Sequence, residues 1–190
     1  MSDIGRSVVP PLHRAWDPDE SIDFHAARIL VLLRICGDGT RGSIEGRTKL
    51  AKLDFFLRYP LFLGRAYEEM RAADRTLPTW KPTDHEVEAP MIRYRYGPWD
   101  PRYRQFLAFL QARSLIRITT SKVEKVTLSA AGVKAAEELM RRPSFEPIAE
   151  RCTVMRNSLS QLTGTELKDL VYDLFPTEVG DLRHWNEINQ

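Results

Sequence analysis

Apolar residues recur at helical spacing along most of the chain. The first such stretch covers about 22–36 and follows Ser21, whose side chain is suited to cap the N-terminus of a helix. Its apolar residues surround nearly the whole helix, so we expect it to be buried at the centre of the fold. Two further helices are predicted over about 46–59 and 61–74, and Pro60 separates them.

The second predicted helix is amphipathic. Its basic positions are typical of a solvated face, and they are also compatible with a stripe that binds anions. We expect its apolar residues to face inward and its basic residues to face outward. The inward set is Leu50, Leu53, Phe56 and Leu57, and the outward set is Arg47, Lys49, Lys52 and Arg58.

A different pattern begins at Asp100, which can cap a helix that has Pro101 at its first position. Two runs rich in β-branched residues follow, 115–118 and 123–128, and the short turn between them predicts a β-hairpin. Ser129 then caps a further helix. Helix, hairpin and helix in this order are typical of the second half of a winged helix-turn-helix. The expected fold class is therefore mainly α with a small β-hairpin, built on a winged helix-turn-helix core.

Three regions are predicted along the chain. Residues 1–20 form a proline-rich leader arm, and residues 21–142 form the winged-helix domain. That domain carries an insertion at about 75–99, where closely spaced prolines argue against regular structure. Residues 143–190 form a C-terminal helical hairpin and tail, whose last helix begins at the capping box Thr163–Glu166.

The composition is that of an ordinary globular protein, with 43% hydrophobic residues, 28% charged residues and a net charge of +2. This charge permits an anionic partner without requiring one, since dedicated nucleic-acid domains are usually more basic. No apolar run is long enough to span a bilayer, and the N-terminus has no apolar signal core. We therefore expect a cytoplasmic protein without a membrane partner. Cys36 and Cys152 are expected to be core residues rather than disulfide partners.

Arginines and aromatic residues alternate between positions 93 and 104. The arginines could neutralise phosphates while the aromatic rings stack on bases. Two lysines at the tip of the predicted hairpin could add phosphate contacts, although Glu124 lies between them. The alternative is that the tyrosines pack against the first helices and the arginines are solvated or paired with Asp84 and Asp100. The candidate nucleic-acid-binding residues are Arg93, Arg95, Arg102, Tyr103, Arg104, Lys122 and Lys125.

The helix predicted over about 148–162 carries apolar residues at alternating spacings of four and three. This pattern is typical of a helix that packs against another helix, either in a partner or within the same chain. Packing against the last helix as an αα-hairpin is the favoured alternative, because the two helices are close in sequence. An aromatic residue in the tail could also dock a partner. The candidate partner-binding residues are Ile148, Cys152, Met155, Leu159 and Trp185.

The sequence carries no catalytic motif. Its four histidines are scattered without metal-ligand spacing, and its glycines do not form a phosphate-binding loop. No serine has the flanking glycines of a nucleophile elbow. The acidic segment Asp84–Glu88 is expected to be a solvated loop rather than a cation site. We therefore expect neither an enzyme nor a metal site.

Two parts of the chain resemble a known family. Residues 28–63 combine an apolar helix, a glycine-rich loop and the run KLAKLDFFL at Lys49–Leu57, which ends at Tyr59–Pro60. Residues 96–132 combine YGPWD with LAFLQARSLIRI and VTLSAAG. Both parts are similar to the middle components of ABC-three-component systems, the Lamassu-type anti-phage systems of bacteria.

This resemblance implies a small non-enzymatic adaptor without a cofactor. It would bridge an SMC-like ABC ATPase subunit and an effector, often a nuclease, and assist non-specific contact with duplex DNA. The alternative is a free-standing transcriptional regulator, in which the helix from Asp100 enters the major groove and helix 148–162 forms a homodimer. The adaptor is favoured because the helix from Asp100 has few side chains suited to base recognition and the net charge is nearly balanced.

Overall fold

A computed structural model of the protein describes residues 21–83, 87 and 89–189. The predicted leader arm at 1–20 and most of the acidic segment at 84–88 lie outside the described residues. The described chain is mainly helical with short antiparallel strands, which confirms the coarse fold class. The helices are α1 (Ile22–Cys36), α2 (Arg47–Arg58), α3 (Pro60–Ala73), α4 (Tyr103–Ala112), α5 (Ala130–Met140), α6 (Glu146–Arg156) and α7 (Gly164–Leu174), and the strands are β1 (Ser43–Glu45), β2 (Ile92–Tyr94), β3 (Gly97–Trp99), β4 (Ile116–Thr120) and β5 (Glu124–Leu128).

Helix α1 lies at the centre of the fold, as its apolar circumference predicts. It packs against α4, α5 and α6, and its side chains from Ile29 to Leu33 are almost fully buried. The hydroxyl of Ser21 accepts a hydrogen bond from the N–H of Phe24, which confirms the predicted N-cap. The chain then turns through a glycine-rich loop in which Gly42 has a left-handed backbone and lies against the Leu33 carbonyl. A side chain at Gly42 would collide with that backbone.

The predicted β-hairpin is confirmed, and it belongs to a three-stranded sheet. Strand β5 pairs antiparallel with β4 on one side and with β1 on the other, so the order is β1-β5-β4. The sequence did not predict β1, because a three-residue strand is too short to show an alternating pattern. Its partner is distant in the sequence, since Ser43 pairs with Thr127 and Glu45 with Lys125.

The segment predicted to be an irregular insertion contains a second hairpin, which corrects that expectation. Strands β2 and β3 pair antiparallel around a two-residue turn at 95–96. Pro98 has no N–H to donate to its partner strand. It is tolerated because it lies opposite Arg93, whose own N–H donates to the carbonyl of Asn186 in the C-terminal tail rather than to β3. The tail thus continues this small sheet beyond β2, and the N–H of Ile188 donates to Met91.

Helix α4 begins at Tyr103 rather than at the predicted Pro101, although a backbone N–H ahead of the helix still bonds to the carboxylate of Asp100. Its Oδ1 accepts the backbone N–H of Arg102 at 2.9 Å, and its Oδ2 accepts Nη1 of Arg58 at 2.8 Å. Residues 101–102 therefore form a turn before the helix starts.

The two C-terminal helices do not form the expected αα-hairpin. Helix α6 packs mainly on α1, whereas α7 packs mainly on α2. Helix α6 also ends at Arg156 rather than near Leu162, and a 3₁₀ turn follows at Leu159–Gln161. The capping box at the start of α7 is confirmed, with the Thr163 N–H donating to Glu166 at 2.7 Å and the Glu166 N–H donating back at 3.2 Å.

A buried ionic cluster joins α1, α2 and α4. Asp54 accepts hydrogen bonds from Nε of Arg28 at 2.9 Å and from Nη2 of Arg58 at 2.7 Å, and the hydroxyl of Tyr103 donates to it at 2.6 Å. Arg58 also donates to Asp100 and to the carbonyl of Ala89. Burial by itself would raise the pKa of Asp54, but the two guanidinium groups outweigh burial and hold that pKa far below its usual range.

The expectation that Arg58 and Lys52 face outward is wrong. Both side chains are buried, because the apolar residues of α2 occupy several sides of the helix and α1, α6 and α7 cover it. The hairpin formed by β2 and β3 closes over the remaining side, where β3 packs on α2.

Replacement of Asp54 by Asn should destabilise the fold by about 3–5 kcal/mol, because Arg28 and Arg58 would lose the buried carboxylate that they share and only Arg58 would keep Asp100. Denaturant unfolding at pH 7 measures this loss. Glu137→Gln is the matched control, since the Arg34–Glu137 pair is partly exposed and such pairs contribute about 1 kcal/mol or less. Equal losses in the two variants would show that the cluster does not stabilise the fold.

Candidate nucleic-acid interface

The predicted nucleic-acid cluster at 93–104 divides into buried and exposed parts. Tyr103 is fully buried and bonded to Asp54, so its ring has no access to a base, and the expectation for this residue is corrected. Arg102 is half-buried, donates to both carboxylate oxygens of Asp100, and lies over the Phe106 ring at 5.4 Å. Its guanidinium therefore stabilises the turn before α4 and is not directed at a ligand.

The other three arginines differ in exposure. Arg93 is half-buried, and its guanidinium lies 5.8 Å from the centre of the Tyr172 ring. Arg95 at the β2–β3 turn and Arg104 in the first turn of α4 are exposed. Only these two arginines of the predicted cluster present their charge freely to solvent within the described chain.

The tip of the β4–β5 hairpin carries one exposed candidate cation and one that is paired. Lys122 is exposed, whereas Nζ of Lys125 donates to Glu45 at 3.1 Å. Glu124, which the sequence placed as an opposing charge between the lysines, forms a two-pronged ion pair with Arg47 instead, with Nη2 at 2.8 Å from the carboxylate. Since Glu45 compensates Lys125 and Arg47 compensates Glu124, Lys122 is the candidate cation of this tip that stays unpaired among the ion pairs of the described residues.

A cavity of about 230 Å³ lies between the β2–β3 hairpin and the start of α2. Its lining surface is mainly apolar and includes three aromatic residues, of which Tyr96 is 60% exposed. Gly97 has a left-handed backbone, and a Cβ there would lie 3.3 Å from Cε of Lys52, so glycine leaves room for the lysine. The lining residues are Arg47, Thr48, Lys52, Tyr94, Tyr96, Gly97, Pro98 and Trp99.

Lys52 forms the wall of this cavity that belongs to α2. The residue is only 2% exposed, and Nζ donates to the carbonyl of Pro98 at 3.2 Å. Within the described chain no carboxylate forms an ion pair with this amine. Burial lowers the pKa of Lys52 to about 7, because desolvation disfavours the charged form.

A second depression of about 350 Å³ adjoins the cavity and shares Thr48 and Tyr96 with it. It is more polar and lies between the N-termini of α2 and α7 and the tip of the β4–β5 hairpin. Its other lining residues are Glu45, Gly46, Lys49, Val123, Gly164, Thr165 and Lys168.

The predicted partner-binding stripe faces the core, which corrects that expectation. Ile148, Cys152, Met155 and Leu159 are buried, because α6 lays this face on α1. Cys152 and Cys36 are both free and buried as expected, and Sγ of Cys36 donates to the Cys152 carbonyl at 3.2 Å.

Trp185 is the one member of the partner-binding set that is exposed, at 64%. Its backbone N–H donates to Arg93, and its ring lies 5.1 Å from that of Tyr94. The tail thus places an exposed indole beside the β2–β3 hairpin.

Sequence patterns missed the cavity because the β2–β3 hairpin was not predicted. One signal was present: apolar residues on several sides of α2, including adjacent Phe55 and Phe56, leave little of the helix for a solvated face. The spacing of Asp54 and Arg58, four residues apart, also suits an ion pair on one face of a helix. Neither signal reveals that a distant hairpin covers Lys52.

Comparisons with protein-family models, with curated proteins and with solved structures gave no match. Among the described residues no group of three or more histidine, cysteine or acidic side chains is arranged to hold a metal ion. No helix in the same part of the chain combines the length and apolarity needed to cross a membrane.

Lys52→Met tests the lowered pKa. From pH 7 to about 10 the unfolded chain binds a proton that the folded chain has released, so Lys52 makes the free energy of unfolding rise with pH. The wild type should gain about 2 kcal/mol relative to Lys52→Met between pH 7 and 9, since each pH unit contributes up to about 1.4 kcal/mol. Denaturant unfolding at both pH values measures this difference. Wild type and Lys52→Met whose free energies of unfolding change equally with pH would contradict the lowered pKa of Lys52.

Proposed function

We propose that the chain is a winged-helix protein that acts mainly by binding other macromolecules. The order α1, β1, α2, then α4 followed by β4 and β5, supports this fold. So does the sheet order β1-β5-β4, in which the first strand pairs with the last strand of the wing. Helix α3 and the β2–β3 hairpin are insertions before the position of the recognition helix. Helices α6 and α7 are additions that cover α1 and α2.

Helix α4 is poorly suited to read bases in a major groove. Its buried face holds Tyr103, Phe106, Leu107 and Leu110, and its exposed face offers Arg104, Gln105 and Gln111 around the small residues Ala108 and Ala112. Base recognition needs several hydrogen-bonding side chains placed on successive base edges. The helix therefore supports a role in protein binding with accessory DNA contact better than a role in sequence recognition.

The observation that carries the proposal is a cluster of exposed apolar side chains around the β2–β3 hairpin. Tyr96 and Val123 line one depression, with 60% and 54% of their surfaces exposed. Trp185 packs on Tyr94, which lines the adjoining cavity together with Tyr96. Exposed aromatic residues close together are typical of protein-binding surfaces.

We further propose that this surface serves a non-enzymatic adaptor in a Lamassu-type anti-phage complex. The resemblance of residues 28–63 and 96–132 to the middle components of ABC-three-component systems supports this assignment. In such a complex the protein bridges an SMC-like ABC ATPase and an effector nuclease. The exposed apolar cluster provides a contact surface for one of these subunits, and Arg95, Arg104 and Lys122 are positioned to contact DNA phosphates.

Co-expression with an SMC-like ATPase and an effector encoded beside its gene tests the adaptor. The three proteins should co-purify, and the double variant Tyr96→Ala with Trp185→Ala should retain at least several-fold less of one subunit, because it removes the two largest exposed rings. Ile22→Ala is the control, since Ile22 is exposed at the start of α1 and outside the cluster. Full retention by the double variant would contradict the proposed surface.

The alternative is a homodimeric transcriptional regulator, and DNA binding separates it from the adaptor. Three exposed phosphate contacts predict non-specific binding that weakens by roughly 40-fold between about 50 and 200 mM salt. Fluorescence anisotropy with duplexes of unrelated sequence measures this dependence. Arg95→Ala, Arg104→Ala and Lys122→Ala should each lower the logarithmic salt slope by about 1, whereas Lys134→Ala on α5 should not.

Tight binding to one duplex sequence by a homodimer would overturn the adaptor in favour of the regulator. Light scattering of the free protein decides the oligomeric state in the same samples.

A further inference from the structure

The cavity beside Lys52 has the dimensions and walls of a site for a flat ring. A cavity of about 150 Å³ holds benzene, so about 230 Å³ accommodates a one-ring heterocycle with its substituents. The rings of Tyr94 and Trp99 lie 6.4 Å apart at an angle of 36°, and Tyr96 stands at the open side. Aromatic walls favour a planar ligand because stacked rings gain contact over their whole faces.

The buried amine gives this cavity a specific polar requirement. An ammonium group has three donors, and the structure shows one hydrogen bond from Lys52, to the carbonyl of Pro98. A buried charge without an acidic partner is unfavourable, so a ligand that supplies acceptor oxygens to Nζ would be held tightly. Ring carbonyl groups such as those of a pyrimidine meet this requirement.

The adjoining depression complements the cavity with groups that suit a phosphate. Lys49 and Lys168 line it, and the backbone at Gly46–Thr48 starts helix α2 without a side-chain cap. Its acidic member, Glu45, is already paired with Lys125, and Lys168 is paired with the adjacent Asp169. Thr48 and Tyr96 border both hollows, so a ligand can occupy the two at once.

We propose that these two hollows form a nucleotide site, with the base in the aromatic cavity and the phosphate beside Lys49 and Lys168. Lys52 donates to the base, and Tyr96 closes over it. The same chemistry is offered by a free mononucleotide and by an unstacked nucleotide of a single DNA strand. The site shares Tyr94, Tyr96 and Val123 with the subunit surface proposed above and lies apart from Arg95, Arg104 and Lys122. Its argument does not depend on the adaptor.

Calorimetry at pH 6.5 tests the site with thymidine, thymidine 5′-monophosphate and a short oligothymidylate. The monophosphate should bind more tightly than thymidine, because only the monophosphate fills both hollows. Affinity for a strand at least tenfold above that of the monophosphate identifies single-stranded DNA as the source, and equal affinities identify the free nucleotide. Failure of all three probes to bind would overturn the proposal.

Two variants outside the buried core, at exposed Tyr96 and half-buried Lys168, keep the test independent of folding. Tyr96→Ala should weaken binding of all three probes about tenfold, because it removes one stacking surface. Lys168→Ala should weaken the monophosphate several-fold and leave thymidine unchanged, while Lys134→Ala on α5 should change neither. Binding that is insensitive to Tyr96→Ala, or equal losses in the two lysine variants, would overturn the proposed placement. Co-purification of the subunits is measured separately, so failure here leaves the adaptor proposal standing.

Discussion

The carboxylate of Asp54 holds three helices together because it is the shared counter-ion of two arginines inside the core, one of which also pairs with Asp100. Arg28 comes from α1, Arg58 from α2, and the Tyr103 hydroxyl of α4 completes the shell around the acid. Charges buried this deeply are tolerated only when they are paired with good geometry, so the packing of the three helices has to preserve these contacts. Arg58 also donates hydrogen bonds to Asp100 and to the Ala89 carbonyl. These two bonds fix both ends of the segment that contains the β2–β3 hairpin.

The hairpin creates the candidate site as a consequence of this anchoring. Once 89–100 is tied to Arg58, β3 must cross α2 at Lys52, and the amine is enclosed under Pro98. The C-terminal tail then adds to β2 and brings Trp185 beside Tyr94. Aromatic walls, a desolvated lysine and an exposed apolar rim therefore arise from segments that lie far apart in the sequence.

Local patterns predicted the elements that depend on local energetics. Ser21, Ser129 and the capping box at Thr163 start helices where expected, because each satisfies backbone N–H groups within its own turn. The hairpin of β4 and β5 follows from β-branched runs around a short turn. Patterns failed where a distant partner decides the outcome, as with three-residue strands, the buried side of α2 and the packing of α6 on α1.

By itself the sequence determined a mainly helical protein with a β-hairpin between residues 115 and 128 and the residue types from which its surfaces are built. Periodicity and capping are local properties, so they can be recognised in the sequence before any long-range contact is known. Only the tertiary structure decided which basic and aromatic residues remain accessible. Tyr103 and Arg58 are bonded to Asp54 in the core, and Lys52 is covered by β3. Burial is a property of the assembled core, because the same basic residue is solvated on a bare helix and desolvated under a neighbouring strand.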